Sequence, residues 1–156
     1  MWKRLIPASI LVAYGALLVS LLVLKNVSFR IGHLMFNFSG YATGPANFVP
    51  FKTILPYLLG EKGQVIGAFN LVGNVVLFVP VGLLMPLVYP NMTWRAALVL
   101  AVTAPLIIEV TQVVFRIGIF DIDDVILNGF GVMIGYWAFL FLRRWARSRQ
   151  KAAELK

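Results

Sequence analysis

The chain has 156 residues, of which 60% are hydrophobic and 13% charged, and its formal net charge is +8. That balance is too apolar for a water-soluble domain, and the long apolar runs leave no space for a large soluble domain beside them. With no cysteine and one histidine, His33, the sequence excludes disulfides, thiolate metal sites, cysteine nucleophiles and a multi-histidine metal centre within one subunit.

A membrane-crossing helix needs about 20 mostly apolar residues, and four runs qualify: residues 5–24, 65–89, 94–115 and 125–142. The first follows Lys3 and Arg4. Its apolar stretch is longer than that of a signal peptide, and no small-residue cleavage site follows it before Lys25. It therefore reads as a retained helix.

Residues 25–64 are too many for a simple connector. In "NVSFRIGHLMFNF" apolar residues alternate at Val27, Phe29 and Ile31, then at Leu34, Phe36 and Phe38. A turn at Gly32-His33 would pair Ile31 with Leu34, Phe29 with Phe36 and Val27 with Phe38 as a type II′ hairpin. An irregular loop is the alternative. His33 is then a turn residue. In "NFVPFKTILPYLLGEKG" the residues Phe48, Phe51, Leu55 and Leu58 have helical spacing. They predict a short interfacial helix with Pro50 near its start and Pro56 limiting its length.

The second run carries Asn70 and Asn74 four residues apart, hence on one face. Gly63 and Gly67 have GxxxG spacing, as do Gly131 and Gly135 in the fourth run, and such pairs permit close helix packing. Pro80, Pro86 and Pro105 are candidate kink points in the second and third runs. The third run carries Glu109 and Gln112 on one face, and Arg116 lies two turns beyond Glu109 if the helix extends that far. A carboxylate at that depth must be neutral or partnered. Asn and Gln in such helices can also serve only to hold the bundle together.

At the mouth of the fourth run stands "FDIDDVILNGFG", in which Asp121, Asp123 and Asp124 are three of the chain's six acidic residues. One aspartate is explained as a helix cap. Three together need a cation, an arginine or shared protons. Their oxygens could hold Mg²⁺ or Ca²⁺, an ammonium group or a hydroxyl-rich ligand. On a rise of about 1.5 Å per residue, Asn70, Asn74, Glu109, Gln112, Asp124 and Asn128 all fall in the same half of the membrane.

The tail, residues 143–156, carries Arg143, Arg144, Arg147, Arg149, Lys151 and Lys156. Basic flanks mark the cytoplasmic side, so both termini are expected inside and the polar residues toward the outer leaflet. The tail reads as an orientation signal that attracts anionic lipid headgroups, not as a nucleic-acid surface.

Four stretches, "NFVPFKTI" (Asn47–Ile54), "NLVGNVVLFVPVG" (Asn70–Gly82), "EVTQ" (Glu109–Gln112) and "FDIDDVILNGFGVMIGY" (Phe120–Tyr136), occur in an order that resembles the VanZ-like family. That resemblance implies a single domain over residues 1–156: a small, all-α bacterial membrane protein, a four-helix transmembrane bundle whose extracellular loop carries the short helix. It adds Asn47, Pro50 and Phe51 as a loop motif. The family is named for a component of a glycopeptide-resistance cluster, and its founding member is linked to teicoplanin resistance. The family usually places Arg close before the "FDIDD" block, often after a Gly; here the order is Arg116, then Gly118.

The expected site comprises Asn70, Asn74, Glu109, Gln112, Arg116, Asp121, Asp123, Asp124 and Asn128. The leading expectation is a non-catalytic protein of the bacterial cell membrane. It would bind or modulate an envelope lipid, a lipid-linked precursor or a lipoglycopeptide, with no known cofactor. One alternative is a lipid-headgroup enzyme in which Asp121, Asp123 and Asp124 hold a divalent cation. In it Glu109, Asp121 and Asp124 are the catalytic candidates and Arg116 binds the anion. Another is a dimeric proton-coupled transporter that uses Glu109.

Overall fold

The computed structural model describes residues 2–24, 29–31, 34–36, 45–59, 64–116 and 118–154. Among them lie helix α1 (Trp2–Leu24), strands β1 (Phe29–Ile31) and β2 (Leu34–Phe36), the short helix α2 (Ile54–Leu58), and helices α3 (Gln64–Val88), α4 (Trp94–Val114) and α5 (Ile122–Glu154). The four long helices are each long and apolar enough to cross a membrane. The fold is all-α apart from the small hairpin, as the four apolar runs predict.

The hairpin has the expected register, with β1 and β2 antiparallel and Ile31 opposite Leu34 and Phe29 opposite Phe36. Its turn and the proposed Val27–Phe38 pair lie outside the described residues, as does Gly63 of the first GxxxG spacing. The interfacial helix is shorter than its spacing predicts. Phe48 and Phe51 lie in a turn-rich segment before it, and α2 begins only at Ile54. The reason is backbone conformation: Phe51 has φ of +67°, a left-handed geometry that no helix interior accommodates. Pro50 lies in that turn, and Pro56 occupies the first turn of α2, where its missing N–H costs nothing.

Helix α5 is the central element, packed on both α3 and α4, while α1 packs on α3. The α3–α5 crossing is close because glycines face backbone. A Cβ on Gly131 would strike the Val75 carbonyl, one on Gly135 the Val79 carbonyl, and one on Gly82 the Val132 carbonyl. Gly129 plays the same part against Ala101 of α4. Around these contacts sit Leu18, Phe78, Ala97, Val132 and Tyr136, all buried. Two tyrosines stitch the layers: Tyr14 Oη donates to the Leu77 carbonyl at 2.7 Å, and Tyr136 Oη to the Met92 carbonyl at 3.3 Å. Phe69, Val99 and Ile107 are more than 60% exposed. In a bundle that crosses a bilayer, this outer surface faces lipid rather than water.

Residues 143–154 continue α5 without a break. At about 1.5 Å per residue the helix reaches roughly 50 Å, against roughly 30 Å for the hydrocarbon core. The basic tail is thus a helical extension projecting past the membrane. There Arg149 lies over the Trp145 ring at 4.6 Å.

Candidate functional site

The start of α5 and the loop after residue 44 form one hydrogen-bonded unit. Asn47 pairs with Asp121 as a parallel β-bridge. Its N–H donates to the Phe120 carbonyl at 2.8 Å, and the Ile122 N–H donates to the Asn47 carbonyl at 3.0 Å. The Phe48 and Phe120 rings stack beside this bridge, 5.0 Å between centroids.

Asp121 is the N-cap expected of one aspartate: its Oδ1 accepts the Asp123 N–H at 2.9 Å. The same oxygen accepts Asn47 Nδ2 at 2.8 Å, and Oδ2 accepts Thr53 Oγ1 at 2.6 Å. Asp123 is completely buried. Its Oδ1 accepts the Phe51 N–H at 2.5 Å, and its Oδ2 accepts the N–H groups of Thr53 and Ile54 at 2.6 and 3.1 Å. The turn at Phe51 aims the N–H groups of residues 51, 53 and 54 at one carboxylate, an anion-binding concavity that the chain's own aspartate fills. Asn47 completes the loop internally, its Oδ1 accepting the Val49 N–H at 3.2 Å in an Asx turn.

Asp124 turns the other way, toward α3. Asn74 Nδ2 donates to its Oδ1 at 2.5 Å. Glu109 on α4 is buried, and its Oε2 accepts the Asp121 N–H at 3.0 Å. Helices α3 and α4 are therefore both tied by polar side chains to the first turn of α5. One turn deeper on α5, Asn128 is 3% exposed and its Oδ1 has no hydrogen-bond partner among the described residues. A buried orphan acceptor is uncommon.

Of the expected site residues, the fold brings Asn47, Asn74, Glu109, Asp121, Asp123 and Asp124 into this one linked unit. Asn70 lies at its edge, exposed, with Nδ2 3.4 Å from Tyr57 Oη of α2. Gln112 is half-buried under the turn after α4, where its carbonyl accepts the Gly118 N–H at 3.2 Å. Pro50 is exposed in the loop. Arg116 departs from expectation. Helix α4 ends at Val114, and Arg116 takes the left-handed position past its C-cap, with φ of +56° and its N–H on the Val113 carbonyl. Its side chain is exposed and makes no ion pair with Glu109 or the aspartates among the described residues. The helix stops too early to aim it back.

The three aspartates of the possible cation site are divided by the same geometry. Asp121 and Asp123 point into the loop and Asp124 toward α3. Among the described residues no three His, Cys, Asp or Glu side chains gather as a metal-holding group. N–H and O–H donors stand where a cation would have to approach Asp121 and Asp123. Thr53 and Tyr57 are polar participants that the sequence reading did not single out. Thr53 lies inside "NFVPFKTI", and the need of clustered carboxylates for nearby donors was the available signal.

A family model described as VanZ/LLP1 matches residues 11–143 of the chain. No curated protein and no solved structure matches it.

Proposed function

The chain belongs to the VanZ/LLP1 family, and we propose that this membrane protein binds a lipidic component of the bacterial cell envelope at the polar end of its bundle. The component is an envelope lipid or lipid-linked precursor, engaged from the outer leaflet, and susceptibility to teicoplanin-type lipoglycopeptides changes as a consequence. The observation that carries the reading is the clasped loop. Asp121 and Asp123 fix residues 47–54 against α5 by side-chain and backbone hydrogen bonds, yet Phe48 and Phe51 of that segment, and Leu58 and Leu59 at the end of the short helix it leads into, are more than half exposed. Ordering a loop only to expose its apolar side chains wastes burial in water but suits contact with acyl chains. Polar groups at the Asn70–Tyr57 edge adjoin that surface and can meet a headgroup.

The enzymatic reading has less support, because the carboxylates it would use for a metal are engaged by the chain's own donors. The test is complementation of a deletion strain. Loss of the protein is expected to raise surface binding of labelled teicoplanin, and the wild type to restore it. Leu58→Ser and Leu59→Ser, exposed positions outside the clasp, should express normally and fail to restore it. Full restoration by both variants, or no change on deletion, rules the reading out.

A further inference from the structure

At the opposite end of the bundle from the clasped loop, a groove of about 430 Å³ opens between the end of α3 and the start of α4. Its walls are Met85 and Met92 on one side and Ala96, Val99, Leu100 and Thr103 on the other. The α4 residues follow i, i+3, i+4 and i+7 spacing, so they form one continuous stripe along the helix. Thr103 adds no polar demand to it, because its Oγ1 already donates to the Val99 carbonyl at 2.8 Å. The groove is thus an apolar channel that follows the helix axis.

Its depth and rim identify what fits. From Trp94 to Thr103 the helix descends nine residues, roughly 14 Å, close to the thickness of one leaflet of a roughly 30 Å core. The mouth carries Tyr89 and Trp94, both more than half exposed, the aromatic pair expected at a membrane–water boundary. Asn91 lines the mouth as well. The Arg95 guanidinium lies 5.6 Å above the Trp94 ring, on the flank of α4 shared with Val99. The positive end of the α4 dipole is at this rim too. The rim is held in place from behind, since Tyr136 of α5 donates to the Met92 carbonyl in the α3–α4 turn.

We propose that this groove is a phospholipid site for the leaflet at that end. One acyl chain lies along Ala96, Val99 and Thr103, and the phosphate of an anionic headgroup sits against Arg95 and Asn91. The depth matches a chain confined to a single leaflet, and the cation at the mouth selects an anionic head over a zwitterionic one. The site is separate from the one in the proposed function and stands or falls on its own evidence.

The experiment reconstitutes the full chain in phosphatidylcholine vesicles containing a trace of phospholipid with a photoactivatable group in mid-chain. The headgroup of that trace lipid is phosphatidylglycerol in one arm and phosphatidylcholine in the other. Cross-links from the phosphatidylglycerol probe are expected to concentrate on residues 85–103 and to exceed those from the phosphatidylcholine probe. Ala96→Trp, which fills the groove, should cut this yield about tenfold, equivalent to about 1.4 kcal/mol of affinity. Arg95→Gln should remove the headgroup preference while leaving the fold intact, which keeps the test decisive if Ala96→Trp unfolds. Cross-links spread evenly over all four helices, equal yields for both probes in the wild type, or a second copy of the chain captured across the groove would each overturn the proposal.

Discussion

Asp123 is the residue on which the loop depends. It is fully buried and accepts three backbone N–H groups from residues 51, 53 and 54. Asp123→Ala leaves all three without acceptors in a site closed to water, at a cost of about 1–3 kcal/mol for each orphaned group. The thermal midpoint is expected to fall steeply, and amide hydrogen exchange at Phe51, Thr53 and Ile54 to accelerate. Asp124→Ala, which removes the acceptor of the Asn74 bond, should leave those three amides as protected as in the wild type. Unchanged exchange in Asp123→Ala would contradict the clasp. Arg116 gives the opposite expectation. It holds a left-handed conformation with an exposed side chain, which costs a non-glycine residue about 1–2 kcal/mol. Arg116→Gly should therefore raise the thermal midpoint. A lower midpoint would show that the guanidinium has a stabilising partner. The sequence made Arg116 look like a partner for Glu109 only if the helix continued through residue 116, two residues past its actual end at Val114. Where α4 ends is decided by a C-cap, and an arginine at that position gives no signal of one.

Between elements, the α3–α5 contact decides whether the bundle closes. Gly82, Gly131 and Gly135 let backbone meet backbone, and none can hold a Cβ without collision. Gly135→Leu should destabilise by about 1–3 kcal/mol or more through overpacking, read as a lower melting temperature in detergent. Gly73→Leu, on α3 where a Cβ meets nothing within 4 Å, is the matched control and should be tolerated. Equal behaviour of the two variants would refute close packing at this crossing. The GxxxG spacing of Gly131 and Gly135 was readable beforehand. Its partner was not, because Gly82 belongs to a different helix and matches neither spacing. Likewise the helical spacing of Phe48, Phe51, Leu55 and Leu58 suggested one longer helix. The left-handed turn at Phe51 overrides it, since the N–H groups of that turn are committed to Asp123.

For the whole molecule, four crossings place both termini on one side and the clasped loop on the other. The excess of Lys and Arg on the helical extension of α5 leads us to expect that end on the cytoplasmic side. The absence of native cysteine permits a direct test: single replacements Ser148→Cys and Val49→Cys, both exposed positions, probed with a membrane-impermeant thiol reagent. Intact cells should label Val49→Cys alone, with Ser148→Cys reacting only after lysis. Labelling of Ser148→Cys in intact cells would invert the protein and move the lipid groove to the outer leaflet. What the sequence determined unaided was the number of long helices and the apolar core of each, though not the continuation of α5 to Glu154. Each is a run of apolar residues whose preference for hydrocarbon is a local property, added up residue by residue. The common depth of Asn74, Glu109 and Asp124 followed from the same linear measure. What only the tertiary structure decided was the use of the carboxylates. Asp121 meets Asn47 across 74 positions of chain, and Asp123 meets the backbone of a loop some 70 residues earlier. Backbone donors carry no residue identity, so nothing in the letters marks them as the partners of a distant aspartate; they become so only when the helices pack and bring the loop to the threshold of α5.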